Sequence, residues 1–267
     1  MNYEELIEPV VALVKDAGDR ILEVYATDFD VQSKDDESPL TQADRASHRT
    51  IAAGLSALTP TIPIISEEDG LPEFDERSQW DHYWLIDPLD GTREFVNRNG
   101  EFTVNIALID DHRPVLGVVR VPVHDKTYVG CEGYGADLRD GDSAPTKIRV
   151  NETCGDRVRV VGSRSHRGST LDAFLDAVGE FDLVPMGSSL KFCVVAEGGA
   201  DVYPRLGPTS EWDTAAAQAV VEQAGGRVLE LDGKPLSYNE KPNILNPSFM
   251  VIGLADRDWL ALLPDGE

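Results

Sequence analysis

Apolar positions along the chain follow two periods, and each predicts a different kind of element. Leu6, Ile7, Val10, Val11, Val14, Ala17, Ile21 and Leu22 recur at helical spacing, which predicts an amphipathic helix over 3–25. The polar stretch KDDESPLTQAD, residues 34–44, interrupts it. Thr41 is then the expected N-cap of a second helix over 42–58, terminated by Pro60. Residues 62–65 read as a short strand that runs directly into two acids, Glu67 and Glu68. The apolar run 83–86 behaves alike and ends abruptly in Asp87. Pro88 and Gly91 are expected to break that strand into a tight turn, folding Asp87 and Asp90 toward one point at a sheet edge.

From Phe102 the pattern changes. Residues 102–110, 115–121, 126–132 and 147–150 are strand-like, and turn clusters such as DDHRP and GYGAD separate them, so an antiparallel sheet is expected. After residue 155 strands and helices alternate: strand 158–162, helix 169–178, strand 182–186, helix 188–197, strand 200–203 and helix 213–224. Strands 227–231 and 249–254 and a last helix follow. That pattern predicts an α/β part with a partly parallel sheet. A boundary near residue 153 divides an N-terminal α+β domain, 1–153, from a C-terminal α/β domain, 154–267. With no repeat or long linker between them, the two are expected to pack tightly and to share an active site.

Composition narrows the possible partners. Acids outnumber bases 48 to 24, giving a formal charge of −24. Such a field repels nucleic acid and anionic membranes, so an anionic substrate needs a locally cationic site. The three cysteines, Cys131, Cys154 and Cys193, show no CxxC spacing and are expected as free thiols in a reducing compartment. No leader-like N-terminus and no membrane-length apolar stretch stand out, so a cytoplasmic protein without an integral membrane segment is expected.

Two carboxylates held as close as Asp87 and Asp90 repel unless a proton or a cation lies between them, which favours a metal. An Asx-rich surface turn is the plain alternative, and the apolar strand leading into Asp87 counts against it. Three separated acidic motifs, SEED (66–69), DPLDGT (87–92) and WDTAAAQAVVEQAGG (212–226), together resemble the inositol monophosphatase superfamily of lithium-sensitive, Mg²⁺-dependent phosphatases. SPLTQAD, REFVNRNGEFTVNIALI, SRSH, GSSLKFCVVAEG and YPRLGPT sharpen the resemblance to its CysQ-type 3′(2′),5′-bisphosphate nucleotidases, over roughly residues 30–249. One departure is Arg93, where that group usually has lysine.

The resemblance implies a layered αβαβα sandwich of the inositol monophosphatase and fructose-1,6-bisphosphatase type. It implies hydrolysis of adenosine 3′,5′-bisphosphate, and of its sulfated relative, by water that two or three Mg²⁺ ions activate. Glu67, Asp87 and the carbonyl of Leu89 are assigned to one ion, and Asp87, Asp90 and Asp213 to a second. Thr92 and Asp44 correspond to the water-activating pair. Asp213 and Asp44 at helix starts would otherwise be routine capping and dipole-favoured acids, and Glu68 and Asp69 are expected to face solvent. For the substrate, Glu67, Leu89, Asp90, Gly91, Thr92 and Asp213 are joined by Ser163, His166, Gly187 and Lys191. Lys191 follows a Gly-Ser-Ser turn suited to an anion. Arg205 either faces a second phosphate or pairs with surface acid. The partner is a small nucleotide; monomer and homodimer both remain open, as does peripheral association with the inner face of the cell membrane. An inositol or fructose-1,6-bisphosphate phosphatase is the nearest alternative, disfavoured by SRSH and GSSLK. A metal-loaded but inactive nucleotide sensor would require loss of Thr92, Asp44 or a ligand, and all are present.

Overall fold

The computed structural model describes residues 1–27, 38–162, 169–253 and 257–264. Helix α1 (Glu4–Tyr25) buries the stripe expected of it, Leu6 to Ile21. Helix α2 (Pro39–Leu58) starts earlier than expected. Its N-cap is Ser38, whose hydroxyl accepts the Thr41 amide at 3.3 Å, because Pro39 suits the first helical turn and needs no donor.

Strand β1 (Ile64–Ser66) and the short helix α3 (Phe74–Arg77) lead into β2 (His82–Asp90). Strand β2 does not break at Pro88. It pairs with the next strand as far as Asp90, with a shifted register between Asp87 and Asp90. The irregularity accommodates a proline that has no ladder donor. Helix α4 (Thr92–Val96) follows, then β3 (Thr103–Asp110), β4 (Arg113–Val121), β5 (Lys126–Cys131), β6 (Gly135–Asp140) and β7 (Thr146–Lys147). Strand β6 lies in a stretch expected to be a turn. The later elements are β8 (Val158–Gly162), α5 (Ser169–Val178), β9 (Phe181–Pro185), α6 (Leu190–Ala196), β10 (Val202–Arg205), α7 (Ala215–Gln223), β11 (Arg227–Glu230) and β12 (Phe249–Ile252). The expected last helix is a 3₁₀ turn, Leu260–Leu262.

Strands β1 to β7 make one sheet in chain order, with β1 and β2 parallel and the rest antiparallel. The second sheet runs β11-β12-β10-β8-β9. In it β10, β8 and β9 are parallel, and β12 is antiparallel to both neighbours. Side chains of β2 alternate between two cores. Trp84 and Ile86 join α1 and α2 on one face, whereas Tyr83 and Leu85 join α6, α7 and the inner face of the second sheet on the other. Val160, Val202 and Met250 on the outer face of the second sheet pack with Phe174 and Leu175 of α5. The layers are therefore helix, sheet, helix, sheet, helix. Helix α7 lies so close to the first sheet that a Cβ on Gly117 would sit 2.0 Å from the carbonyl oxygen of Ala216. Among the described residues, no helix is long and apolar enough to cross a membrane.

Candidate active site

Strands β1 and β2 lie side by side in parallel, with Ser66 opposite Ile86, so the next residues come out as neighbours: Glu67 just past the end of β1, and Asp87 still paired with Asn105 inside β2. Asp87 is 1 % exposed. Its Oδ1 accepts the Leu89 amide at 3.0 Å, while Oδ2 is buried without a hydrogen-bond partner. Asp90 Oδ2 accepts the Ser189 amide at 2.5 Å, at the start of α6. Ser189 is held in turn by Thr103 and Asn105 through its hydroxyl, at 2.8 and 2.9 Å. Asp213 ends the 3₁₀ turn Glu211–Asp213, just before α7, and accepts the Ser210 amide at 2.9 Å in a capping box. The cap and the cluster therefore coincide: Asp87, Asp90 and Asp213 place ligand oxygens within 4.8 Å of one another.

The carboxyls of Asp87, Asp90, Asp213, Glu67 and Asp44 are all pushed upward. Burial raises Asp87 well above the usual range, and Asp90, Glu67, Asp213 and Asp44 add to it. Burial and Asp90 push Asp213 up to about 7. Burial raises Asp90, opposed by the Lys191 ammonium and the Ser189 amide. Glu67 is partly open to solvent, yet desolvation of its carboxyl raises it, its interaction with Asp87 opposes this, and Asp90 and Glu68 reinforce it. Asp44, on α2, is pushed up to about 8 by burial and then by Glu68 and Glu67. A cluster of this kind binds either protons or a hard cation. The unpartnered Asp87 Oδ2 among all-oxygen donors fits the cation.

Gly91 has φ +92° at the head of α4, and a Cβ there would lie 3.2 Å from Phe102 and Ser188, so glycine is needed to bring Thr92 beside Asp90. Thr92 is exposed and Asp44 buried; among the described residues no hydrogen bond joins them. Helix α6 turns Lys191 inward, 9 % exposed, into the cavity wall it shares with Asp90, with its ammonium 5.7 Å from the Tyr203 ring centroid. Burial lowers its pKa and Asp90 opposes the shift. The 187–189 turn already spends amides on the chain's own acids, Gly187 on Glu101 at 2.8 Å and Ser189 on Asp90. Beside the cluster lies a cavity of about 210 Å³ walled by Asp90, Asp213, Lys191, Arg205, Phe192 and Tyr203. Arg205 donates to the carbonyls of Gly207 and Pro208, at 3.1 and 2.6 Å. Ser163 and His166 lie outside the described residues. Thr103, Asn105 and Ser189, which fix Asp90, were not anticipated. Their sequence signal is the pair of polar residues two apart in the otherwise apolar strand FTVNIALI.

The chain belongs to the inositol monophosphatase family, whose model matches residues 2–257. Within it, the chain is similar to CysQ of Escherichia coli strain K12, a 3′(2′),5′-bisphosphate nucleotidase, with 48% identity over 248 residues covering 92% of this chain and 99% of that one. The CysQ nucleotidase of Haemophilus influenzae is 34% identical over 261 residues, 97% of each chain. The crystal structure of CysQ from Bacteroides thetaiotaomicron superposes with a TM-score of 0.85 at 38% identity, covering 96% of this chain and 99% of that one. An inositol monophosphatase from Zymomonas mobilis shares the fold, with a TM-score of 0.80 at 23% identity and 98% coverage of both chains.

Proposed function

We propose that this chain is a Mg²⁺-dependent 3′(2′),5′-bisphosphate nucleotidase that converts adenosine 3′,5′-bisphosphate to AMP and phosphate. The observation that carries the metal reading is the buried, unpartnered oxygen of Asp87 among carboxylates that repel one another. Glu67, Asp87 and the Leu89 carbonyl would hold one ion, and Asp87, Asp90 and Asp213 another. When bound, the ions neutralise phosphate charge and make the attacking water more acidic.

The chain's own groups divide the remaining work. Asp44 keeps its proton affinity near neutrality because burial and Glu68 and Glu67 raise it, which suits a base taking a proton through the Thr92 hydroxyl. In this reading the Thr92 hydroxyl would relay the water's proton to Asp44. Lys191 favours the charged form of Asp90 and supplies positive charge to the cavity wall. Arg205 and the rings of Phe192 and Tyr203 complete a wall in which Lys191 and Arg205 face the acids Asp90 and Asp213, so the two cations are set beside the acid cluster where an anionic substrate would lie. No covalent phosphoenzyme is required: water attacks phosphorus in line, giving its proton through Thr92 to Asp44, the bond from phosphorus to the sugar oxygen breaks, and that oxygen takes up a proton from solvent. A small-molecule partner and a cytoplasmic location accord with the overall charge of −24.

Phosphate release in Mg²⁺ decides the substrate. Adenosine 3′,5′-bisphosphate should be turned over well above inositol 1-phosphate and fructose 1,6-bisphosphate, and lithium should inhibit. A preference for inositol phosphate would replace this reading with the monophosphatase one. No turnover of any ester would leave a nucleotide-binding protein.

A further inference from the structure

Helix α2 reaches both carboxylate-bearing strands through two consecutive side chains. The Ser47 hydroxyl donates to the Pro88 carbonyl at 2.7 Å, between Asp87 and Asp90 along the chain. His48 reaches the other strand. Its Nδ1 lies 2.9 Å from Ser66 Oγ at the end of β1, and its Nε2 lies 3.5 Å from Asp69 Oδ2. The Glu68 amide donates to Ser66 Oγ at 3.4 Å, and the Asp69 amide closes the turn on the Ser66 carbonyl at 3.2 Å. One set of donors satisfies the chain of contacts: Glu68 N–H into Ser66 Oγ, Ser66 O–H into Nδ1, and Nε2–H toward Asp69. His48 therefore ties both ends of the turn that carries Glu67.

The order Asp69, His48, Ser66 imitates a hydrolase triad. Ser66 is 1 % exposed, so no acyl carbon can approach its hydroxyl, and a nucleophilic role is set aside. What Ser66 does have is Glu67 as its next residue. Strand β1 is only three residues long, and residues 67–70 beyond it are exposed, so burial does not fix that turn. The Glu67 backbone has a single 3.3 Å bond from its amide to the Ile86 carbonyl. Asp44 lies four residues before His48, on the same face of α2, so the histidine's grip also sets how far Glu67 and Glu68 stand from Asp44.

We infer that His48 is a positioning residue which, through Ser66 and Asp69, holds Glu67 where it can ligate the divalent cation. The inference rests on the proposed reading of Glu67 as a ligand. Outer groups that orient a ligand commonly alter metal affinity by about 10–100-fold.

Mn²⁺ binding to the metal-stripped full chain, read by paramagnetic resonance without substrate, tests it. His48→Ala should weaken binding about 10-fold. His48→Asn, whose side-chain amide takes the place of Nδ1 at Ser66, should recover most of that loss. Ser66→Ala breaks the same link without altering α2 or any charge; it should weaken binding as His48→Ala does, and it stands in if the latter fails to fold. Unchanged affinity in these alanine variants, or equal losses in His48→Ala and His48→Asn, overturns the positioning role. Glu67→Gln in the same series separates the two readings. If it binds Mn²⁺ normally, Glu67 is not a ligand; if it loses affinity and His48→Ala does not, only the positioning role fails.

Discussion

At the residue scale the site is an electrostatic conflict that a cation resolves. Asp87, Asp90, Asp213, Glu67 and Asp44 all have folded-state pKa values above their ordinary ones, with Asp213 at about 7 and Asp44 at about 8. The native chain therefore holds protons that the unfolded chain releases above about pH 4. Metal-free stability is greatest at acidic pH and falls as the pH rises through these values. Thermal melts should show a Tm that drops between about pH 5 and about pH 8, with Mg²⁺ raising Tm most at the higher pH. A metal-free Tm that climbs over this range would contradict the burial of these acids. Asp90→Asn and Asp213→Asn each remove one charge from the cluster. Turnover of adenosine 3′,5′-bisphosphate should fall about 1000-fold, the equivalent of about 4 kcal/mol of charge stabilisation. Metal-free Tm should hold or rise, because asparagine keeps the cap at 213 and relieves repulsion.

At the scale of elements, α7 decides where Asp213 stands. Its Ala-rich face, Ala215 to Ala219, lets the helix backbone approach the first sheet at Gly117 and Gly130, where a Cβ would meet helix carbonyls at 2.0 and 2.5 Å. Neither glycine has positive φ, so close approach is the reason for it. Gly117→Ala should cost about 1–3 kcal/mol, read as a lower urea midpoint. Activity should fall with it, because pushing α7 outward carries Asp213 away from Asp90. Gly155→Ala, whose Cβ meets nothing closer than 3.9 Å, should stay within about 0.5 kcal/mol of the parent. Equal effects at the two positions would mean that the helix–sheet contact is not tight.

At the scale of the whole molecule, the five layers bury both faces of the first sheet, while a charge of −24 remains to be carried outside. Many acids lack a nearby cation, so self-repulsion opposes compaction and salt should relieve it. Tm should rise between about 0.1 M and about 1 M KCl, the Debye length shrinking from about 10 Å to about 3 Å. A Tm that is flat or falls would mean the surface acids are already compensated by their neighbours.

Period and spacing alone determined α1, its buried stripe, and the existence of the two apolar strands that run into Glu67 and Asp87. Which side chains share a face of a helix or strand is a local property of the backbone. The motif at 87–92 was legible for the same reason: its acids are three residues apart, and Gly91 marks the turn by its own conformational freedom. Strand β6 was not legible, because Gly135 and its neighbours spell a turn and only pairing with β5 makes them a strand. The continuation of β2 through Pro88 likewise depended on a partner, β3, that absorbs the irregular register. Juxtapositions of distant parts were decided by the tertiary structure: Lys191 and Asp90 in one cavity wall, the amides of the 187–189 turn on Asp90 and Glu101, and His48 on Ser66. Each joins groups that no local period relates. They meet because the two faces of one sheet must both be covered, and the helices that cover them bring their polar residues to the same edge.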